Sequence, residues 1–236
     1  MFPIARFQLT PVARKAAFAC ASLAALAALP GQAEAFTESG DAGQTQATAQ
    51  VTTGVGALTD IVGALASATD ADLYLIQITS PGSFSASTVN ATGGFLDTQL
   101  FLFTLAGAPV FMNDDDAGGQ SVLSTLGSGS SFGPVSAGFY LLGVSMSGYD
   151  PVNINGQTLF AAGLPTTLRG PASGLQPALL GGFFDGTYYA DSGAYDIVLT
   201  GAAVAAAVPE PASALLFAIG GVLGAAAALR RRRTAA

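Results

Sequence analysis

A short acidic segment is where groups capable of chemistry are most concentrated in this sequence. Residues 113–116 read Asn-Asp-Asp-Asp, and a glycine pair follows after Ala117. Neighbouring carboxylates repel one another, and Ca²⁺ relieves this because it takes about six to eight oxygen ligands. The segment therefore predicts a calcium site formed by Asp97, Asn113, Asp114 and Asp115, with Asp97 opening the preceding predicted strand. The alternative is a solvated turn, where Asn and Asp make local hydrogen bonds.

A second acidic pair and the residue types that are missing define the other chemical options. Asp70 and Asp72 are two residues apart, so both carboxylates would lie on one face of a strand start and form a weaker metal candidate. The chain has no histidine, and its only cysteine is Cys20. Ser-His-Asp and Cys-His nucleophiles and zinc sites built from His or Cys are thereby excluded. A hydrolase that uses aspartates alone remains an alternative to a non-enzymatic protein.

The charge is distributed very unevenly along the chain. Residues 36–207 contain 13 acidic residues and one basic residue, Arg169, a net charge of about −12. A surface of this sign repels nucleic acid phosphates and suits cations or simple solubility. Nucleic acid is therefore excluded as a partner.

The first 35 residues have the layout of a secretory signal helix. Arg14 and Lys15 precede an apolar run over 16–29, which Pro30 and Gly31 end. Ala33 and Ala35 then supply the small-x-small cleavage pattern, so residues 1–35 are predicted to be a signal peptide. The alternative is a retained membrane helix, which the short length of the run disfavours.

The C-terminal end combines an apolar span with a basic cluster. Residues 212–229 are apolar or glycine except for one serine, and as a helix they would be roughly 27 Å long, enough to cross a bilayer. Residues 230–236 begin with four arginines, which hold that end in the cytoplasm and place the preceding domain outside. Residues 203–211 are interpreted as a spacer, in which two prolines keep the backbone extended.

This order of features resembles the PEP-CTERM sorting tail of Gram-negative bacteria. The residues that carry the resemblance are Val208, Pro209, Glu210, Pro211, Arg230, Arg231, Arg232 and Arg233. The resemblance implies export by the secretion machinery, an inner-membrane intermediate anchored by the C-terminal helix, and processing by the protease exosortase. It also implies a final place at the cell surface or in the extracellular exopolysaccharide matrix, and a link to biofilm formation.

Between the two ends, short apolar and alternating runs are separated by turns rich in Gly, Ser, Asn and Asp. Such runs lie at 72–79, 83–89, 98–105, 138–146 and 193–201. Their lengths and spacing predict an all-β, jelly-roll-like antiparallel β-sandwich of about eight strands over residues 36–202. The glycine- and proline-rich region 163–189 is predicted to be a long loop with one or two short strands.

The order of these runs is similar to the bacterial pre-peptidase C-terminal domain, a β-sandwich module. One departure is Thr104, which stands where that family usually has an aspartate. Together the observations predict an exported, non-enzymatic cell-surface or exopolysaccharide-matrix protein, with calcium as a candidate cofactor. The alternative is a calcium-dependent carbohydrate-binding module, for which extracellular polysaccharide is the candidate partner.

Overall fold

The computed structural model describes residues 33–89, 96–185 and 192–207. The predicted signal helix, the apolar span 212–229 and the arginine cluster lie outside these residues. None of the described residues forms a helix with the length and apolar character that a membrane crossing requires.

The described residues form strands, one 3₁₀ turn at Pro81–Ser83 and no α-helix, which confirms the all-β prediction. In chain order the strands are β1 (Ala33–Thr37), β2 (Gln50–Val51), β3 (Thr53–Gly54), β4 (Ala57–Leu65), β5 (Ala71–Ile78), β6 (Ser85–Val89), β7 (Thr98–Thr104), β8 (Pro109–Asn113), β9 (Thr125–Leu126), β10 (Gly138–Met146), β11 (Tyr149–Val152), β12 (Gly182–Asp185), β13 (Gly193–Thr200), β14 (Ala202–Val204) and β15 (Ala206–Ala207). The count exceeds the predicted eight because several of these strands have only two or three residues, too few to give a periodic signal in sequence.

Most of the strands belong to one nearly closed, mainly antiparallel sheet. Its order is β8-β7-β10-β5-β14-β4-β13-β6-β9, and β8 and β9, at the two ends of that order, contact each other. Two smaller pairs, β11 with β12 and β15 with β3, complete the described sheets. The central strand β4 contains the adjacent β-branched residues Ile61 and Val62, which favour strand structure.

The strands β4 and β5 do not pair with each other. The space between them, here called the seam, is occupied by strands from the N-terminal and C-terminal ends of the described domain. The C-terminal strand β14 lies between them, pairing Ala203 with Ala57 on one side and with Gln77 on the other. From the N-terminal side, β1 runs parallel to β4 and β2 runs parallel to β5. Residues 203–207, which were assigned to the spacer, are therefore part of the folded sheets.

Two apolar layers explain the continuous hydrophobic runs of β5, β7 and β10. Their inward side chains, such as Leu102 and Leu142, join the main core, whereas outward side chains such as Phe101 and Leu141 join a second cluster. In that cluster Phe101 stacks on Phe160 with the ring centroids 5.8 Å apart. The long excursion between β10 and β13 thus covers the outer face of these strands, and both faces are buried.

Candidate metal centre

Three of the four sequence-predicted calcium ligands converge at one end of the β7–β8 hairpin. The two strands are antiparallel, with Leu100 paired to Asn113, so the residue before β7 lies beside the residues after β8. Carboxylate oxygens of Asp97, Asp114 and Asp115 all lie within 4.8 Å of one another. Carboxylates on this scale of separation can share one divalent cation.

Hydrogen bonds at both ends of the side-chain amide hold Asn113 in place. Its side chain is 1% exposed. The amide oxygen accepts a hydrogen bond from the Thr125 backbone N–H at 2.7 Å, and the amide nitrogen donates to the Pro165 carbonyl at 3.3 Å. Asn113 therefore anchors the acidic loop to β9 and to the 163–181 loop, and we assign it a positioning role.

The acidic loop is fixed further by its own backbone and by a buried hydroxyl cluster. The Asp115 N–H donates to the Pro165 carbonyl at 3.0 Å. Below the loop, Thr98 and Ser124 share a hydrogen bond of 2.9 Å, and Thr88 contacts both hydroxyls. These contacts hold the two chain segments that carry the carboxylates in one position, so the ligand set is largely preformed.

The electrostatics of the site are set by burial and by one arginine. Asp114 is 8% exposed, and its Oδ1 atom has no hydrogen-bond partner. Its other oxygen, Oδ2, lies 3.9 Å from Nη2 of Arg169. Burial, with Asp115 and Asp150 nearby, raises the pKa of Asp114 to about 6, although a hydrogen bond with Ser147 and the charge of Arg169 oppose the shift. A cation at this site would take over part of the positive charge that Arg169 now places beside the Asp114 carboxylate.

Arg169 also faces a cleft beside the acidic site. The cleft has a volume of about 230 Å³ and is lined by Met112, Asp150, Thr158, Phe160 and Arg169, among others. Burial raises the pKa of Asp150, and the Arg169 guanidinium opposes that shift. Sequence reasoning missed this arrangement, although Arg169 was recognisable as the single basic residue between the two ends of the chain.

The second predicted acidic pair does not form a shared site. The Asp70 carboxylate closes a turn by accepting a hydrogen bond from the Ala66 N–H at 2.6 Å. Asp72 instead lies in β5, fully buried, where it groups with Glu38 and Asp41. The pairing of Asp70 with Asp72 as ligands is therefore corrected, because Asp70 is used by the turn that precedes the strand.

The predicted processing sites lie at the margins of the described chain. Ala33 and Ala35 belong to β1, where they pair with Ala57 and Asp60 of β4. A signal cut after Ala35 would leave only the last two residues of β1. The residues of the sorting motif from Val208 to Pro211, and the arginines from Arg230 to Arg233, lie outside the described residues.

Comparison with known proteins identifies the C-terminal segment. Residues 207–233 match the family described as the PEP-CTERM protein-sorting motif. No curated protein matches the chain at a significant level. The chain thus carries a PEP-CTERM sorting motif that begins at the last residue of β15, and this motif implies an exported protein that exosortase processes at the membrane.

Proposed function

We propose that this protein is a non-enzymatic β-domain delivered to the cell surface or the exopolysaccharide matrix after exosortase processing. The observation that carries the proposal is the sorting motif at 207–233, whose match begins at the last residue of β15. The tail is a transient anchor, and the all-β domain is the part that remains outside.

Two properties of the domain support a binding or structural role over catalysis. The sequence has no histidine, and no cysteine would remain after a signal cut at Ala35, so nucleophile–base pairs that depend on either are unavailable. In one of the two groups of converging carboxylates, Asp97, Asp114 and Asp115 lie within 4.8 Å of one another, and Asp114 lies beside Arg169. Such an arrangement suits a bound cation better than the separated acid and base of a glycosidase.

Calcium at the β7–β8 site is the cofactor of this proposal. An ion bound there would connect the start of β7 to the loop after β8. A cation bound only by the folded state stabilises it by about 2.7 kcal/mol at a hundredfold excess over Kd. The mature domain contains no disulfide. A bound cation would connect two chain segments, and its effect on the free energy of unfolding would be comparable to that of a disulfide.

The sorting part of the proposal is tested in a host that carries an exosortase. The variant replaces Pro209, Glu210 and Pro211 by alanine, and Thr234→Ala serves as the control that leaves motif and span intact. We expect the wild type and the control in the surface fraction with a shortened C-terminus, and the triple variant in the inner membrane. Surface protein that still ends in the four arginines, detected by mass spectrometry, would contradict the proposal.

A calcium-dependent carbohydrate-binding role is the second candidate, and the cleft beside Arg169 favours it. Arg169 and Asp150 offer hydrogen bonds to hydroxyl groups, and Phe160 offers an apolar wall. The test is binding of exopolysaccharide fractions with calcium or with chelator, using Asp115→Asn to weaken the ion site and Asp60→Asn as the charge-matched control. Binding that survives both chelator and Asp115→Asn would exclude this role.

A further inference from the structure

We infer a second cation site, formed by Glu38, Asp41 and Asp72, which binds Ca²⁺ independently of the β7–β8 site. One carboxylate oxygen of each residue lies within 4.8 Å of the other two. The inference does not rest on the proposed sorting or on the proposed role at the surface, because it concerns only the folded domain.

The chain path explains why these three residues meet. Glu38 follows β1, and its backbone N–H donates to the Val62 carbonyl at 2.8 Å. The chain then turns at Gly43, whose φ of +64° favours glycine, and the Gly43 carbonyl accepts from the Leu73 N–H at 3.2 Å. This turn carries the segment after β1 back to the start of β5, where Asp72 lies.

Besides the grouping of the three carboxylates, the buried and incompletely hydrogen-bonded side chain of Asp72 also points to a bound ligand. Its side chain is 0% exposed. The Tyr195 hydroxyl donates to Oδ2 at 2.5 Å and also lies 2.5 Å from the Tyr74 hydroxyl. The second oxygen, Oδ1, is buried with no hydrogen-bond partner. A buried carboxylate oxygen without a donor is costly, and a bound cation would remove that cost.

The other two carboxylates are positioned by backbone groups. Oε1 of Glu38 accepts from the Ala42 N–H at 2.9 Å, and Oε2 accepts from the Ala64 N–H at 2.8 Å. Oδ1 of Asp41 accepts from the Gly43 N–H at 3.2 Å. An ionised carboxylate has about four acceptor positions, so each group keeps capacity for a metal bond while its orientation is fixed.

The local charge balance also favours a cation. The negative charges of Glu38, Asp70 and Asp41 all lie near Asp72 and interact unfavourably with its carboxylate. The single arginine of residues 36–207, Arg169, pairs with Asp114 at the other site. Three carboxylates therefore share this region with a fourth, Asp70, nearby.

The ligand set selects the chemical class of the ion. All the donors are carboxylate oxygens, which suit hard cations, and the chain has no histidine for a zinc site. Ca²⁺ accepts irregular oxygen coordination, whereas Mg²⁺ requires near-ideal octahedral geometry and keeps its waters. An ion here would tie the segment that follows the signal peptide to β5.

The experiment is calorimetric titration of the full-length chain in detergent with Ca²⁺, in an Asp115→Asn background that weakens the β7–β8 site. Asp41→Asn is the test variant, because Asp41 is exposed and an asparagine still accepts from the Gly43 N–H. Asp60→Asn is the charge-matched control on β4. We expect Asp41→Asn to lower the calcium affinity about tenfold or more, and Asp60→Asn to change it less than about twofold.

Terbium gives a second readout that depends on position. The chain has no tryptophan, so emission of bound Tb³⁺ must be excited through tyrosine, and Tyr195 contacts Asp72 directly. In the same background we expect tyrosine-sensitised emission that Tyr195→Phe reduces and Ca²⁺ displaces. The inference would be overturned if Asp115→Asn alone abolished all calcium binding. It would also be overturned if the Asp41→Asn and Asp60→Asn variants bound calcium with equal affinity. Either result would leave the sorting proposal untouched.

Discussion

Tyr195 of β13 and Gly63 of β4 are direct cross-strand partners, and the missing side chain of the glycine makes room for the tyrosine hydroxyl. A Cβ atom at Gly63 would lie 2.6 Å from Oε2 of Glu38 and 2.6 Å from Cζ of Tyr195. The glycine therefore supports both the hydrogen bond to Asp72 and the position of the Glu38 carboxylate.

Gly63→Ala should destabilise the domain by about 1–3 kcal/mol, since overpacking displaces side chains that are already fixed. It should also weaken calcium binding at the Glu38–Asp41–Asp72 site. Urea unfolding and calcium titration measure the two effects. Gly127→Ala is the control, because a Cβ there meets no atom within 4 Å. Equal effects of the two substitutions would contradict this role of Gly63.

Asp72→Asn should have opposite effects with and without calcium. Without calcium, the variant should be more stable than the wild type, because the neutral amide avoids the cost of a buried charge and still accepts from Tyr195. With calcium, the wild type should gain stability and the variant should lose the part that comes from this site. Thermal unfolding in chelator and in calcium measures both. A variant that is less stable in chelator and keeps the full calcium response would refute the assignment.

The calcium-free protein should lose stability as the pH rises from about 4 to about 8. Asp72 has a pKa of about 7 when folded and an ordinary value of 3.8, and Asp114 shifts in the same direction to about 6. Between those values the folded state binds more protons than the unfolded state, so the free energy of unfolding decreases with pH. The groups that face Asp72 are Glu38, Asp41, Asp70 and two tyrosines, none of which supplies positive charge.

Melting temperatures in chelator at matched ionic strength measure this slope. Stability should be higher near pH 4 than near pH 8, and Asp72→Asn should flatten the decline towards pH 8. Stability that increases between pH 5 and pH 8 in the absence of calcium would contradict the shifted pKa values.

Arg169→Gln should raise the calcium affinity of the β7–β8 site several-fold. The guanidinium lies 3.9 Å from Asp114 Oδ2 and competes with a cation for that carboxylate. In chelator the same substitution should lower the melting temperature, because Asp114 and Asp150 lose a positive neighbour. Titration of the Asp41→Asn background isolates this site, and unchanged affinity there would show that Arg169 and the ion do not interact.

Phe101→Ala should cost about 3–5 kcal/mol, the usual range for deleting a buried aromatic side chain. Phe101 is 0% exposed, whereas Phe139 on the neighbouring strand β10 is 45% exposed. Phe139→Ala is therefore the matched control and should cost less than about 1 kcal/mol. Chemical denaturation measures both, and similar costs would mean that the outer aromatic cluster contributes little.

The hairpin site was predictable because its residues are close in sequence to strand ends. Asp97 and Asp114 flank two adjacent runs of apolar residues, and antiparallel pairing brings such flanks together. The sequence could not show that Asn113 faces Thr125 and Pro165, since both contacts depend on the path of the long loops.

The second site was not predictable for a different reason. Glu38 and Asp72 are far apart in sequence, and their contact depends on β1 joining β4 in parallel, a pairing that no local pattern signals. The outer aromatic layer was hidden in the same way. The run 98–105 showed a strand with apolar residues on both faces, but only the structure shows that Phe160 covers the outer face.

The position of β14 between β4 and β5 has a consequence for the order of events during export. A chain that crosses a membrane from its N-terminus presents Ala202–Val204 last among the residues of the sheet. Until those residues emerge, Ala57 of β4 and the end of β5 from Ile76 to Ile78 lack this partner, although β1 and β2 already line the rest of the seam. The sheet can therefore become complete only after the residues directly before the sorting motif have crossed the membrane.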